Sequence, residues 1–168
     1  AVRDTQYVYH FAGLADINEA KAKPVETITS NILGTTNILE ACRNNNVCRF
    51  IFASTIYVYS ELGSFYRSSK QACELIIENY FDEYDLNYTI LRYGSLYGRR
   101  ANQFNFIRNA VSQALLENKI DRLGDGEEIR DYIHVKDAAK ASVDILTDEF
   151  VNSHIMIKGE QTIKVKEL

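Results

Sequence analysis

The chain has 168 residues, 46% of them hydrophobic and 25% charged, enough for one compact unit with a core of its own. A formal charge of −4 offers no general attraction to phosphate backbones or anionic lipid, which argues against nucleic-acid and membrane partners. No apolar run approaches the ~20 residues that cross a bilayer, and the first residues, Ala1-Val2-Arg3-Asp4, hold no signal-peptide core. Cys42, Cys48 and Cys73 lack metal-ligand spacing, so the expectation is a cytoplasmic protein with reduced thiols and no metal site.

In chain order, the short aromatic and β-branched run Tyr7-Val8-Tyr9-His10-Phe11 reads as a buried strand. Val25, Ile28, Ile32, Thr35, Leu39 and Cys42 then recur at helical spacing between Pro24 and Asn44-Asn45-Asn46, which predicts a helix with its stop. Phe50-Ile51-Phe52-Ala53 is a second strand. A helix from about Phe65 to Tyr84 follows, with Cys73, Ile77, Tyr80 and Tyr84 on one face, and then a strand over Tyr88–Tyr93. This alternation implies a parallel sheet wrapped by helices.

After Gly98 the pattern predicts a helix around Phe104–Leu116, a Gly124-Asp125-Gly126 turn, a helix around Val135–Leu146 and a strand near His154–Ile157. Val165–Leu168 reads as the first turn of a further helix. A doubly wound nucleotide-binding sheet should open with a strand and a Gly-x-Gly-x-x-Gly turn, and the sequence contains no such turn. The expected fold is therefore α/β, a Rossmann-like doubly wound parallel sheet lacking its N-terminal βαβ region and its C-terminal end. Roughly 60 residues, about two βαβ units, are expected ahead of Ala1.

Chemistry enters at Tyr66-Arg67-Ser68-Ser69-Lys70, where i,i+4 spacing puts a phenol and an ammonium on one helix face. Tyrosine, with a pKa near ~10, is a poor base at neutral pH, but a nearby cation stabilises its phenolate and lets the pair act as general base and acid. In a chain with 11 tyrosines such a pair arises by chance about half the time. Context adds to it. The strand before this helix ends in Phe52-Ala53-Ser54-Thr55, which brings hydroxyls to a C-terminal sheet edge, where open α/β sheets place ligands.

These residues resemble the extended short-chain dehydrogenase/reductase family, in particular its NAD-dependent sugar-nucleotide epimerases and dehydratases of the UDP-glucose 4-epimerase kind. Further motifs of that family stand in order, from Val8-Tyr9-His10-Phe11-Ala12-Gly13 to Arg130-Asp131-Tyr132-Ile133-His134-Val135-Lys136-Asp137. The resemblance implies catalytic roles for Thr55, Tyr66 and Lys70, and cofactor contacts at Phe11, Ala12, Gly13, Asn31, Ala53, Ser54, Tyr66, Lys70 and Tyr93. Gly13 allows close backbone approach. Asn31 is either cofactor-proximal or structural. Lys70 also reaches the nicotinamide ribose.

Substrate contacts are implied at Thr55, Ser95, Asn102 and Arg130. The Arg130 guanidinium suits a nucleotide diphosphate because its planar fork pairs with phosphate oxygens. Ser95 stands where the family usually carries Asn, within Leu91-Arg92-Tyr93-Gly94-Ser95-Leu96-Tyr97-Gly98. By the same resemblance, residues 1–98 form the C-terminal part of an NAD(P)-binding Rossmann domain, and residues 99–168 a substrate-binding region interleaved with the last Rossmann elements. The cofactor is NAD, with NADP open; the partners are a nucleotide sugar and, in a homodimer, a second copy.

Family 4,6-dehydratases carry Asp-Glu directly after the Thr, and decarboxylating relatives carry Glu. Here those positions are Ile56 and Tyr57, and the span from Thr55 to Tyr66 is shorter than in relatives. What remains is oxidation followed by re-reduction, or a single hydride transfer; the resemblance implies the first, an epimerase that oxidises the sugar and returns the hydride to its other face. The alternatives are a reductase of a keto sugar or small carbonyl using the same three residues, and a non-enzymatic interaction module.

Overall fold

Strands that are apolar on both faces must be covered on both. Phe50, Phe52, Ile90 and Leu91 are all fully buried, and the architecture follows from that requirement. The structure, a computed structural model, describes residues 2–122 and 124–168. In chain order its elements are β1 (Tyr7–His10), α1 (Ile17–Ala22), α2 (Pro24–Ile28), a π-helical turn (Thr29–Leu33), α3 (Gly34–Arg43), β2 (Arg49–Thr55), a 3₁₀ turn (Ile56–Tyr59), α4 (Ser64–Tyr84) and β3 (Tyr88–Tyr93). They continue with β4 (Ser95–Tyr97), α5 (Phe106–Glu117), β5 (Ile129–His134), α6 (Val135–Asp144), a 3₁₀ turn (Asp148–Phe150), β6 (Ser153–Ile157), β7 (Thr162–Lys164) and a closing 3₁₀ turn (Val165–Glu167).

Two units emerge. The first comprises the residues up to Arg92 together with Ile145–Met156; the second comprises Tyr93–Asp144 and Ile157–Leu168. The division falls after Arg92. The reason is that β4, just past that point, pairs with β5 in a separate sheet.

The first unit is a four-stranded sheet in the order β1-β2-β3-β6, with β1 and β2 parallel and in register from Tyr7 opposite Arg49 to His10 opposite Phe52. This is the expected Rossmann-like α/β arrangement. Its core joins Leu39 and Cys42 of α3, Phe50 and Phe52 of β2, Cys73 and Ile77 of α4, and Ile90 of β3. His10 lies against the rings of Phe50 and Phe52, and its Nε2 is 2.9 Å from Thr35 Oγ1, so this buried imidazole has its partner.

The single helix expected from Val25 to Cys42 is instead α2, a π-helical turn and α3 in succession. Val25 is 78% exposed, and the buried positions are Thr27, Asn31, Thr35, Leu39 and Cys42. Steps of four residues drift around an ideal helix, and the wider i→i+5 turn over Thr29–Leu33 takes up that drift and keeps these side chains inward. On α4 the expected apolar face is present at Cys73 and Ile77, but Tyr84 is exposed and Lys70 and Glu74 are buried.

The returning segment Ile145–Met156 is tied down by polar contacts. Arg49, 4% exposed at the start of β2, donates from Nη1 to the carbonyls of Ile145 (2.9 Å) and Thr147 (3.2 Å). Asn152 pairs with the Tyr88 backbone through both its own N–H and its side-chain oxygen. In the second unit, β4 runs parallel to β5 and β7 antiparallel to it. None of these three strands is marked by an apolar run. Helix α5 buries none of its residues.

Arg49→Met leaves those carbonyls without their charged donor and should destabilise the complete protein by about 2–3 kcal/mol in urea denaturation. Asp148→Asn should change stability little, because Asp148 is fully solvated and stands 3.8 Å from the same guanidinium.

Candidate active site

Helix α4 crosses the C-terminal end of β2 and grips the backbone there residue by residue. Lys70 Nζ donates to Ala53 O (2.7 Å), Gln71 Nε2 to Val58 O (2.9 Å) and Arg67 Nη1 to Ser60 O (2.6 Å), while Ser54 Oγ donates to the Glu74 carboxylate. Thr55, between these anchors, ends β2 in extended conformation and caps the next turn by accepting from Tyr57 N at 3.2 Å. Its hydroxyl also acts on the Tyr66 phenol, which it favours in the ionised form. Thr55, Tyr66 and Lys70 are thereby brought together at the strand's C-terminal edge, with Thr55 and Lys70 buried and Tyr66 half-buried.

The electrostatics follow from burial. Lys70 is 5% exposed, and burial lowers its ammonium to a pKa of about 8, against the smaller opposing pull of Cys73 and Glu74. The ammonium rests over the Phe52 ring, 4.5 Å from its centroid, and lies 6.0 Å from that of Tyr66. Burial raises the Tyr66 phenol above its ordinary value; the hydrogen bond from Thr55 works against that and neighbouring Tyr57 adds to it. The expected lowering of Tyr66 by Lys70 is therefore corrected here. Helical spacing puts the two on one face, but the ammonium turns to Ala53 O, and desolvation governs the phenol.

Phe11, Ala12 and Gly13 follow β1, where Phe11 is 58% exposed and stacks on Tyr9. Gly13 has φ +143°, and a Cβ there would stand 2.8 Å from Asn31 Oδ1, so only glycine lets the loop pass. Asn31 Oδ1 accepts from Leu14 N (2.7 Å), and its Nδ2 donates to Leu14 O (3.0 Å) and Ser69 Oγ (2.9 Å). Its side chain buckles the loop after β1 onto α4. Ala53 and Ser54 complete this edge, with the Ser54 hydroxyl committed to Glu74.

The remaining candidates lie in the second unit. Tyr93 Oη is 2.5 Å from Ser142 Oγ on α6, and Ser95 opens β4 opposite Tyr132. Asn102 caps its own loop by accepting from Phe104 N at 3.0 Å, and Arg130 on β5 donates to Ile129 O at 3.0 Å. Among the described residues no hydrogen bond joins Ser95, Asn102 and Arg130 to one another. The unit also holds a cavity of about 910 Å³ lined by Tyr97, Ile107, Tyr132, Ile163 and Leu168 among others, which no sequence motif marked. Glu74 and Arg92 were also missed, although a carboxyl on the Cys73/Ile77 stripe of α4 was a visible signal.

A parallel sheet with a Tyr-x-x-x-Lys helix laid across a hydroxyl-bearing strand end defines a nucleotide-binding fold of the dehydrogenase/reductase class. Residues 1–157 match the NAD dependent epimerase/dehydratase family. The chain is 31% identical over 175 residues to a dTDP-glucose 4,6-dehydratase of Mycolicibacterium smegmatis, covering 95% of this chain and 53% of that protein. Two solved structures share the fold. One is the UDP-N-acetylglucosamine 4-epimerase of Methanobrevibacter ruminantium M1 in complex with UDP-N-acetylmuramic acid (29% identity, TM-score 0.88, 99% of this chain and 59% of that one). The other is the UDP-glucuronic acid 4-epimerase of Bacillus cereus in complex with UDP-glucuronic acid and NAD (25%, 0.90, 98% and 57%).

The chain belongs to the NAD dependent epimerase/dehydratase family, within the extended short-chain dehydrogenases/reductases. It spans about half the length of the curated relatives it matches. Among the described residues no helix is long and apolar enough to cross a membrane.

The lowered Lys70 pKa carries a stability consequence whose sign can be worked out. Between about 8 and the ordinary lysine value of 10.5, the unfolded chain binds a proton that the folded chain releases, so stability contributed by Lys70 rises with pH across that window. Below it, the buried charge costs about 3 kcal/mol. Lys70→Met in cofactor-free complete protein should therefore melt higher than wild type at pH 7, with the advantage shrinking as pH rises through that window. Thermal denaturation against pH reads this out, and a less stable variant at pH 7 would contradict it.

Proposed function

We propose that the complete protein is an NAD-dependent epimerase of a nucleotide sugar. The observation that carries this reading is the convergence of Thr55, Tyr66 and Lys70 on one strand end whose next residues, Ile56 and Tyr57, bring no carboxyl group. The dehydratase likeness covers the same segment, but elimination of water needs additional proton carriers at those two positions, and an aliphatic side chain and a phenol replace them.

The residues at this edge fit a nicotinamide riboside. Lys70 spends one hydrogen bond on Ala53 O among the described residues, which leaves donor capacity for a ribose hydroxyl. The Phe11-Ala12-Gly13 loop is exposed and carries no Cβ at its closest turn. NAD, when bound, supplies the acceptor and later the donor of hydride. The chain's part is proton handling: Tyr66 Oη takes the proton from a sugar hydroxyl and gives it back, and the Thr55 hydroxyl holds the reacting oxygen in line with that phenol. To take that proton Tyr66 must enter the step as the phenolate; the neutral phenol it then becomes, the form that burial favours, is the donor in the returning step. Arg130 and Asn102 are proposed to hold the substrate's diphosphate, a task for which a guanidinium fork is suited.

The test is incubation of the complete protein with UDP-glucose, UDP-glucuronic acid, UDP-N-acetylglucosamine and dTDP-glucose, with products separated chromatographically. The expected result is conversion of at least one of them to a mixture of two epimers without loss of water and without net consumption of nicotinamide. A keto-deoxy product would assign a dehydratase, stoichiometric oxidation of NADH or NADPH a reductase, and no turnover with any of them would remove the reading.

A further inference from the structure

Glu74 stands one turn beyond Lys70 on α4 and is 6% exposed, yet no step of the proposed reaction uses it. Its carboxylate accepts from Ser54 Oγ and from Arg92, whose Nε lies 3.1 Å from Oε1 and whose Nη2 lies 2.6 Å from Oε2. Arg92, at the end of β3, is itself held from behind. Its Nη2 is 2.7 Å from His154 Nδ1, and His154 Nε2 is 2.9 Å from Glu78 Oε1, an arrangement that places the ring proton on Nε2. In front, Arg92 Nη1 donates to the Tyr59 hydroxyl, and the guanidinium carbon lies 4.8 Å from that ring's centroid.

Ser54 is the residue before Thr55, and Tyr59 closes the 3₁₀ turn that Thr55 caps. The ion pair therefore holds the chain on both sides of Thr55. A buried ion pair is a costly way to fill space, since apolar residues of the same volume usually stabilise as well or better. Tyr59, 63% exposed, owes its position to Arg92 rather than to burial.

We propose that the Glu74–Arg92 pair is a positioning device that brackets Thr55 and keeps its hydroxyl in place beside Tyr66. The proposal rests on Thr55 and Tyr66 being the acid–base pair. Neither Glu74 nor Arg92 touches the reacting atoms; they act through Ser54 and Tyr59. Displacing a reacting group by about 1 Å is enough to cost ~10²-fold in rate, so loss of the bracket should appear in turnover before it appears in binding.

The experiment uses the complete protein carrying Glu74→Gln, Ser54→Ala or Tyr59→Phe, with Ser54→Thr as the conservative control; the Ser54 and Tyr59 variants keep the ion pair if Glu74→Gln fails to fold. With the best substrate of the four sugars above, kcat per folded molecule should fall by about 10–100-fold for Glu74→Gln and less for the other two, at KM within about threefold of wild type. Ser54→Thr, which keeps the hydroxyl, should recover most of the loss. Amide hydrogen exchange without substrate should rise about tenfold over residues 55–60 and stay unchanged over Ile90 and Leu91. Wild-type kcat in folded Glu74→Gln, or a loss matched by KM alone, would overturn the proposal. If the wild-type protein turns over none of the sugars, the functional reading fails by itself; unchanged exchange over residues 55–60 would then overturn the bracket independently.

Discussion

The Lys70 ammonium, buried against the Ala53 carbonyl, is the contact on which the rest of the site depends. A cation at this depth must have a fixed partner, and the nearest suitable oxygen is a backbone carbonyl on the last residues of β2. Helix α4 is therefore locked to that strand end in one register. Once it is locked, the neighbouring positions of the helix have no choice of partner. Arg67 meets Ser60 O, Gln71 meets Val58 O, and Glu74 meets Ser54. Tyr66, one turn earlier than Lys70, arrives at Thr55 by the same registration. Arg67 Nε is left buried without a partner, but Lys70, Gln71 and Glu74 each have theirs, and bonded side-chain networks of this kind specify one arrangement.

The same contact explains why the helix is polar where its pattern suggested core. Cys73 and Ile77 pack on β2 and β3, but the positions that face the strand end carry Lys70 and Glu74, two charges that packing alone would not select. Their burial exchanges stability for geometry, and the lowered Lys70 ammonium is the visible sign of that exchange. The loop after β1 is tied in from the other side, since Asn31 clamps Leu14 and reaches Ser69 on α4. Both strand ends are thus referred to one helix.

Much of this was legible in the sequence, for identifiable reasons. The apolar runs of β2 and β3 stand out because both of their faces are covered, whereas β1, which reads the same way, leaves Tyr7 exposed and buries only His10. The Tyr66–Lys70 spacing is readable because helical geometry puts i and i+4 on one face. The π-helical turn at Thr29–Leu33 leaves no compositional mark, so Val25 and Ile28 read as core while both are exposed. β4, β5 and β7 are short and mixed in polarity, and their pairing is decided by tertiary contact. Spacing fixes which face Lys70 occupies but not where its ammonium points, and it does not show the burial that raises the Tyr66 phenol. The place of Glu74 on the buried stripe of α4 is legible, but its partners Arg92 and Ser54, far away in sequence, are not.

The claim at the centre is that Tyr66 moves the proton at a site whose geometry α4 imposes. Its direct measurement is the steady-state kinetics of Tyr66→Phe in the complete, cofactor-loaded protein. The substitution keeps the ring and removes only the ionisable oxygen, so kcat should fall by about 10²–10⁴-fold while KM and melting temperature stay close to wild type. Near-normal turnover in a folded, cofactor-loaded Tyr66→Phe protein would show that the phenol is a packed aromatic and that the proton is moved elsewhere.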